Sequence, residues 1–309
     1  MVFSVFLIGF LLCSCKQEQS EDIYILYTND VASNLDANMG YAGVKGYKDY
    51  LKSENRYVAL VDAGDFFDGT ISSKSKGEYI VEIMNAVGYD VVALGNQEFS
   101  IGLDALSENI SKSDFDYVSC NLRYTGLKNN PLQKVKAYTI KKYGPVKIAY
   151  IGVTTPETLI KGKPSYEAII EDGELIYDFY EGNRGYDLYE RVQSIVDEVR
   201  DKADYVIVLA HLGSNSTRDG FSSYDLIANT SGIDVVIDGH SHTVIEGEAV
   251  ENKNGEEVIL TSTGEKLQNL GILRLCVDHT IYSGLMPTVY ETDESIVSLV
   301  SEIYSKAGN

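Results

Sequence analysis

The stretch DVVIDGHSHT, Asp234–Thr243, decides how this chain is read. Its first half, Asp234–Ile237, is a short β-branched apolar run, and it gives way at once to Asp238-Gly239-His240-Ser241-His242. Such a run is a buried strand, and functional side chains of open α/β sheets gather in the loops beyond the carboxyl ends of strands. The same punctuation recurs outward along the chain. Ile23–Tyr27 runs into Thr28-Asn29-Asp30, Tyr57–Val61 into Asp62-Ala63-Gly64-Asp65, Val91–Leu94 into Gly95-Asn96-Gln97-Glu98, and Tyr205–Ala210 into His211-Leu212-Gly213. Further strands are expected at Tyr117–Ser119, Lys147–Gly152 and Ile272–Val277. Helices are expected at Tyr79–Val87, Leu188–Val199 and Glu294–Lys306, where apolar residues recur at helical spacing. Strands alternating with helices predict an α/β fold.

The chain has only 4 histidines, and His211, His240 and His242 all fall just past predicted strands; His279 lies beyond the last one and reads as a surface residue. Taken singly, an Asp after a strand is usually a turn or a cap, and Gly-Asn is usually a turn. Taken together, Asp30, Asp65, Asn96, His211, His240 and His242 are the ligand types that hold two divalent ions, Zn, Mn or similar. A bridged pair of ions polarises a phosphoryl oxygen and activates water.

The 309 residues are 44% hydrophobic and 23% charged, with 27 Gly and 5 Pro, the balance of a folded globular protein. Against 26 Lys+Arg stand 46 Asp+Glu, a formal charge of −20 that argues against nucleic acid as a partner. The same field repels an anionic substrate, so a phosphorylated ligand needs local positive charge, which bound metal ions supply. Cys120 and Cys276 lack CxxC spacing and read as small core residues, with a disulfide left open.

Residues 1–15, MVFSVFLIGFLLCSC, form an apolar run too short to span a bilayer comfortably and read as a signal segment. Leu12-Cys13-Ser14-Cys15 resembles a bacterial lipobox with Cys15 as the lipidated residue, and 16–22 is then a tether holding the protein outside the cytoplasmic membrane. A buried N-terminal strand is the alternative. Residues 23–309 are expected to form one domain. Within it 161–185 is rich in Gly, Tyr, Glu and Asp and reads as a surface insertion or lid, with Tyr166, Tyr177 and Tyr180 as stacking surfaces or ordinary packing residues.

Read in order, YTND, DAGD, GNQEF, AHLG and DGHSHT resemble the motifs of the calcineurin-like metallophosphoesterases, most closely the 5′-nucleotidase branch. Supporting stretches are Ala149–Glu157 (AYIGVTTPE) and Gly264–Leu273 (GEKLQNLGIL). The resemblance implies a four-layer α/β/β/α sandwich. It also implies one metal site of Asp30, Asp65 and His242 and a second of Asp65, Asn96, His211 and His240, with Asp65 as the bridge. Three positions depart from the pattern. Where the family usually has a histidine ligand two residues after the first Asp, this chain has Ala32, which predicts a weak or empty first site. Where the family has a His–Asp dyad, it has Gln97 and Ser100, and a glutamine donates a hydrogen bond but delivers no proton. No C-terminal nucleotidase specificity domain is expected within the 309 residues.

The resemblance implies an extracytoplasmic, metal-dependent phosphoester hydrolase, 5′-nucleotidase or cyclic-nucleotide phosphodiesterase-like. It would act on a nucleotide or other small phosphate ester through metal-activated hydroxide, with Asn96 and Gln97 as catalytic residues. A degenerate member that binds a phosphorylated ligand or a partner without turnover is the alternative, carried by Ala32, Gln97 and Ser100. An acidic surface-binding protein would explain the charge but not the ordered motifs.

Overall fold

Along the first strand, Ile23–Thr28, the side chains of Ile23, Ile25 and Tyr27 join one apolar cluster while Leu26 joins another, the two-residue period of a strand buried on both faces. Tyr57–Asp62 repeats it, with Ala59 and Val61 facing one cluster and Val58 and Leu60 the other. Tyr205–His211 does so again, dividing Ile207 and Leu209 from Val206, Val208 and Ala210. The structure, a computed structural model, describes residues 22–216 and 219–308. Cys15 and the signal segment lie outside the described residues.

Two six-stranded sheets result. In the first the order is Ile281–Met286, Leu270–Leu275, Ile23–Thr28, Tyr57–Asp62, Val91–Ala93 and Asp116–Val118, the last four parallel. In the second it is Val244–Glu251, Glu257–Thr263, Val235–Asp238, Tyr205–His211, Val146–Thr154 and Tyr138–Tyr143, with the four central strands parallel. The cluster containing Ile25, Ala59, Val91, Tyr150, Ile207 and Ile237 fills the space between the sheets. Helices Gly40–Ser53, Glu78–Val87, Leu103–Lys112 and Glu294–Ala307 cover the outer face of the first sheet, and Tyr186–Val199 and Ser223–Asn229 cover that of the second. Three apolar layers between four layers of elements make the α/β/β/α sandwich.

Strand bounds differ from the sequence reading by one or two residues, as at Leu270–Leu275, which begins and ends two residues earlier than expected. The fourth strand runs Asp116–Val118, one residue earlier than expected. The stretch 161–185 is packed against the domain: it holds a short helix, Pro164–Ala168, a hairpin of Ile170–Glu171 and Glu174–Leu175, and the strand Tyr177–Phe179, which pairs with Leu122–Tyr124. Tyr177 is buried, its hydroxyl accepting from the Leu132 N–H at 3.0 Å, and the Phe179 ring meets Phe99 edge-on at 6.0 Å. Tyr180 lies between Arg123 and Arg191. Tyr177 and Phe179, alternate residues of that strand, are the ones it buries. Cys120 and Cys276 are both buried and unbonded to each other. His279 is exposed and stacks beside Tyr205. Among the described residues no helix is long and apolar enough to cross a membrane.

Candidate metal centre

The chain turns left-handed just past the strand Tyr57–Asp62, at Gly64 (φ +99°) and Asp65 (φ +61°). A Cβ on Gly64 would stand 2.7 Å from Gly95 N and 2.9 Å from His211 Nδ1, so only glycine lets these three loops meet. Asp65 is thereby aimed into their junction. Its Oδ1 accepts from the Gln97 N–H at 2.8 Å, and its Oδ2 lies 3.1 Å from His211 Nε2. Behind it the buried Glu98 carboxylate accepts three backbone N–H groups, from Asp65 at 2.9 Å, Phe67 at 3.0 Å and Gly95 at 2.6 Å, and so ties the second and third loops together. Burial and the nearby Asp65 charge raise the pKa of Glu98.

His211 is fully buried at the end of its strand. Its Nδ1 sits 2.8 Å from the Ala63 carbonyl, and its Nε2 faces Asp65. Burial lowers its pKa, but the Asp65 carboxylate outweighs burial and raises it; Asp65 in turn is held down, burial being outweighed by His211 and the Gln97 N–H.

Asp30, also left-handed at φ +50°, approaches from the first sheet. Asn29 locks it in place by donating to Asp30 Oδ2 at 2.7 Å and to the Gly264 carbonyl at 2.7 Å, while accepting the Thr263 N–H at 2.8 Å across the sheets. From the DGHSH loop the His240 N–H donates to Asp30 Oδ2 at 2.9 Å, and His242 Nε2 lies 3.5 Å from Asp30 Oδ1. The His242 Nδ1 faces Glu265 at 3.3 Å, and its pKa is raised by the Asp30 contact. The His240 ring stands 5.1 Å from that of His211, and its Nε2 lies 3.2 Å from Glu157. Asp30, Asp65, His240 and His242 all hold positive φ, a strain of roughly 1–3 kcal/mol each that clusters where function over-determines the backbone.

The donor set fits a divalent cation. One ligand atom each from Asp65, His211 and His240 lies within 4.8 Å of the others. The Asn96 Oδ1, on the residue before the Gln97 whose N–H binds Asp65, is buried and finds no hydrogen-bond partner among the described residues. Buried acceptors without donors are expensive unless an ion satisfies them. Asp30 with His242 forms the adjoining half of the cluster. Ala32, whose N–H donates to the Asp65 carbonyl at 3.1 Å, offers no side-chain ligand there. Gln97 and Ser100 sit on the turn Gln97–Ile101, and Ser100 Oγ donates to Gln97 Oε1 at 2.9 Å.

A family model for calcineurin-like phosphoesterases matches residues 23–244, spanning all of these loops. The chain belongs to the calcineurin-like phosphoesterase family. Members of this family use divalent metals. A snake venom 5′-nucleotidase from Crotalus adamanteus is 31% identical over 73% of this phosphoesterase chain and 38% of its own length. The trifunctional nucleotide phosphoesterase protein YfkN of Bacillus subtilis is 26% identical over 90% of the chain and 19% of that protein. The chain therefore spans less than two-fifths of either relative. Among solved structures, a 5′-nucleotidase precursor from Thermus thermophilus superposes with a TM-score of 0.77 at 21% identity, covering 92% of this chain and 59% of that one. The structure of YfkN superposes with a TM-score of 0.70 over 93% and 97%. Both agree on the sandwich fold.

Four residues of this phosphoesterase site were not singled out from sequence: Asn29, Glu98, Glu157 and Glu265. Each lies in or beside a stretch recognised as a motif, yet what each touches is set by tertiary contacts.

Proposed function

We propose that this chain is a metal-dependent phosphoester hydrolase acting on a nucleotide or another small phosphate ester. The convergence of Asp65, His211 and His240 within 4.8 Å, together with the unpartnered Asn96 Oδ1, carries the reading. Asp65, Asn96, His211 and His240 would hold one divalent ion, and Asp30, Asp65 and His242 a second, weaker one. Such ions, when bound, polarise the phosphoryl group and activate water. The chain's own residues do the rest. Glu98 and Asn29 fix the two carboxylates, and Gln97, its Oε1 occupied by Ser100, would offer its amide N–H₂ as a donor to a phosphoryl oxygen. An amide releases no proton, so esters whose leaving groups have low pKa suit this site better than alkyl monoesters.

The N-terminal apolar run and Cys15 support an extracytoplasmic, lipid-anchored location. Release of phosphate or nitrophenol from nucleotides and nitrophenyl mono- and diesters, with Mn²⁺ or Zn²⁺, tests the reading. Turnover abolished by a chelator is expected. No turnover on any ester would instead favour a degenerate, ligand-binding member, the second reading that Ala32, Gln97 and Ser100 support. Ala32→His, Gln97→His and Ser100→Asp together should then create activity.

A further inference from the structure

We infer that Glu157 is the positioning residue of His240 and thereby sets the affinity of the Asp65 site for a divalent cation; this rests on the metal reading above. Glu157 is delivered by a rigid local structure. The strand Val146–Thr154 ends on Thr154, whose Oγ1 donates to the Leu94 carbonyl at 2.8 Å and whose N–H and carbonyl are both bound by the Asn121 side chain, at 2.9 and 2.7 Å. Thr155 then caps the turn Pro156–Leu159 by accepting the Glu157 N–H at 3.2 Å, Pro156 fixes the first turn position, and Thr158 Oγ1 closes back on the Thr155 carbonyl at 2.8 Å. The TTPE sequence is thus a cap that projects one carboxylate, and Glu157 Oε2 reaches His240 Nε2 at 3.2 Å. Both side chains are largely withdrawn from water, 16% and 19% exposed, where such a contact is little screened.

A neutral imidazole has one N–H and one lone pair. With its N–H at Nε2 donated to a carboxylate, the lone pair is fixed on Nδ1. The backbone of His240 is held independently, by its N–H on Asp30. Glu157 therefore governs which nitrogen is available and which way the ring turns, while leaving the loop itself in place. In Glu157→Gln, nearly the same size, the amide can donate to Nε2, which shifts the ring proton to Nδ1 and removes the lone pair.

The test is titration of the metal-free protein with Mn²⁺ and Zn²⁺ by calorimetry or competition with a chelating dye, which needs no turnover. Glu157→Gln should bind 10–100-fold more weakly, with an unchanged melting temperature in chelator. Glu157→Asp, which keeps an acceptor-only carboxylate, should lose less. In a His240→Ala background Glu157→Gln should have no further effect. Equal affinities in wild type and Glu157→Gln would overturn the inference, and so would losses that add in the double variant, since Glu157 would then act on the cation without His240. An inactive wild type with the predicted affinity pattern would sink the hydrolase reading and leave this one standing.

Discussion

Ser100 Oγ hydrogen-bonds Gln97 Oε1 at 2.9 Å, and the backbone N–H of the same glutamine reaches Asp65 Oδ1 at 2.8 Å. The Asp65 carboxylate and the Gln97 amide are therefore one mechanical unit. Loss of a single neutral donor in a pre-organised site costs about 1–1.5 kcal/mol, so Gln97→Ala should lower kcat/KM about tenfold. Ser100→Ala should lose less and Ser100→Thr should recover it. Wild-type rates on a series of aryl and alkyl esters should fall steeply as leaving-group pKa rises, and Gln97→His with Ser100→Asp should flatten that slope.

An ion that binds only the folded chain stabilises it in proportion to its occupancy, about 2.7 kcal/mol at 100 times its Kd. Saturating Mn²⁺ or Zn²⁺ should raise the melting temperature by several degrees in wild type. Asp65→Ala and His211→Ala should remove most of the shift, whereas His242→Ala, on the more exposed half of the cluster, should remove only part. Differential scanning calorimetry with and without chelator reads all four.

Phe179 is 2% exposed and packs on Phe99, which lies in the same turn as Gln97 and Ser100. Phe179→Ala should destabilise by about 3–5 kcal/mol, the usual cost of emptying an aromatic core position. Denaturant unfolding measures it. A loss below about 1 kcal/mol would mean that 161–185 is a detachable flap.

Asp116 ties the edges of the two sheets, accepting from Lys136 at 2.6 Å and Thr139 at 2.8 Å and pairing with Lys141 at 2.9 Å. Burial raises its pKa, but these three donors prevail and hold it at about 2. A depressed carboxylate contributes stability that is present above its unfolded pKa and lost as pH falls through the folded value. The stability gap between wild type and Asp116→Asn should thus be constant above about pH 4 and close toward pH 2. Denaturant titrations at several pH values show whether it does.

The parallel strands were legible because burial on both faces makes them continuous β-branched runs ending abruptly in polar loops, as at Val235–Asp238. The strand Val244–Glu251 was not, since most of it faces solvent and carries three glutamates. The helix Gly40–Ser53 hid for a different reason. Its glycines weaken the helical signal, and Gly46 is required by packing, because a Cβ there would stand 2.6 Å from the Glu291 backbone. At the site, ligand types announce themselves at strand ends, so Asp30, Asp65, Asn96 and the three histidines could be nominated from spacing. Glu98 and Glu157 could not. Their roles are defined by partners 31–33 and 83 residues away, and nothing local distinguishes them from surface carboxylates.

The most direct test compares hydrolysis of bis-nitrophenyl phosphate by wild type, Asp65→Ala and Asn96→Ala after metal removal and again after adding Mn²⁺ or Zn²⁺. Wild type should be silent without metal and active with it, Asn96→Ala should be strongly reduced, and Asp65→Ala should stay silent. Turnover that survives Asp65→Ala, or that ignores the metal, would contradict a hydrolase built on this centre.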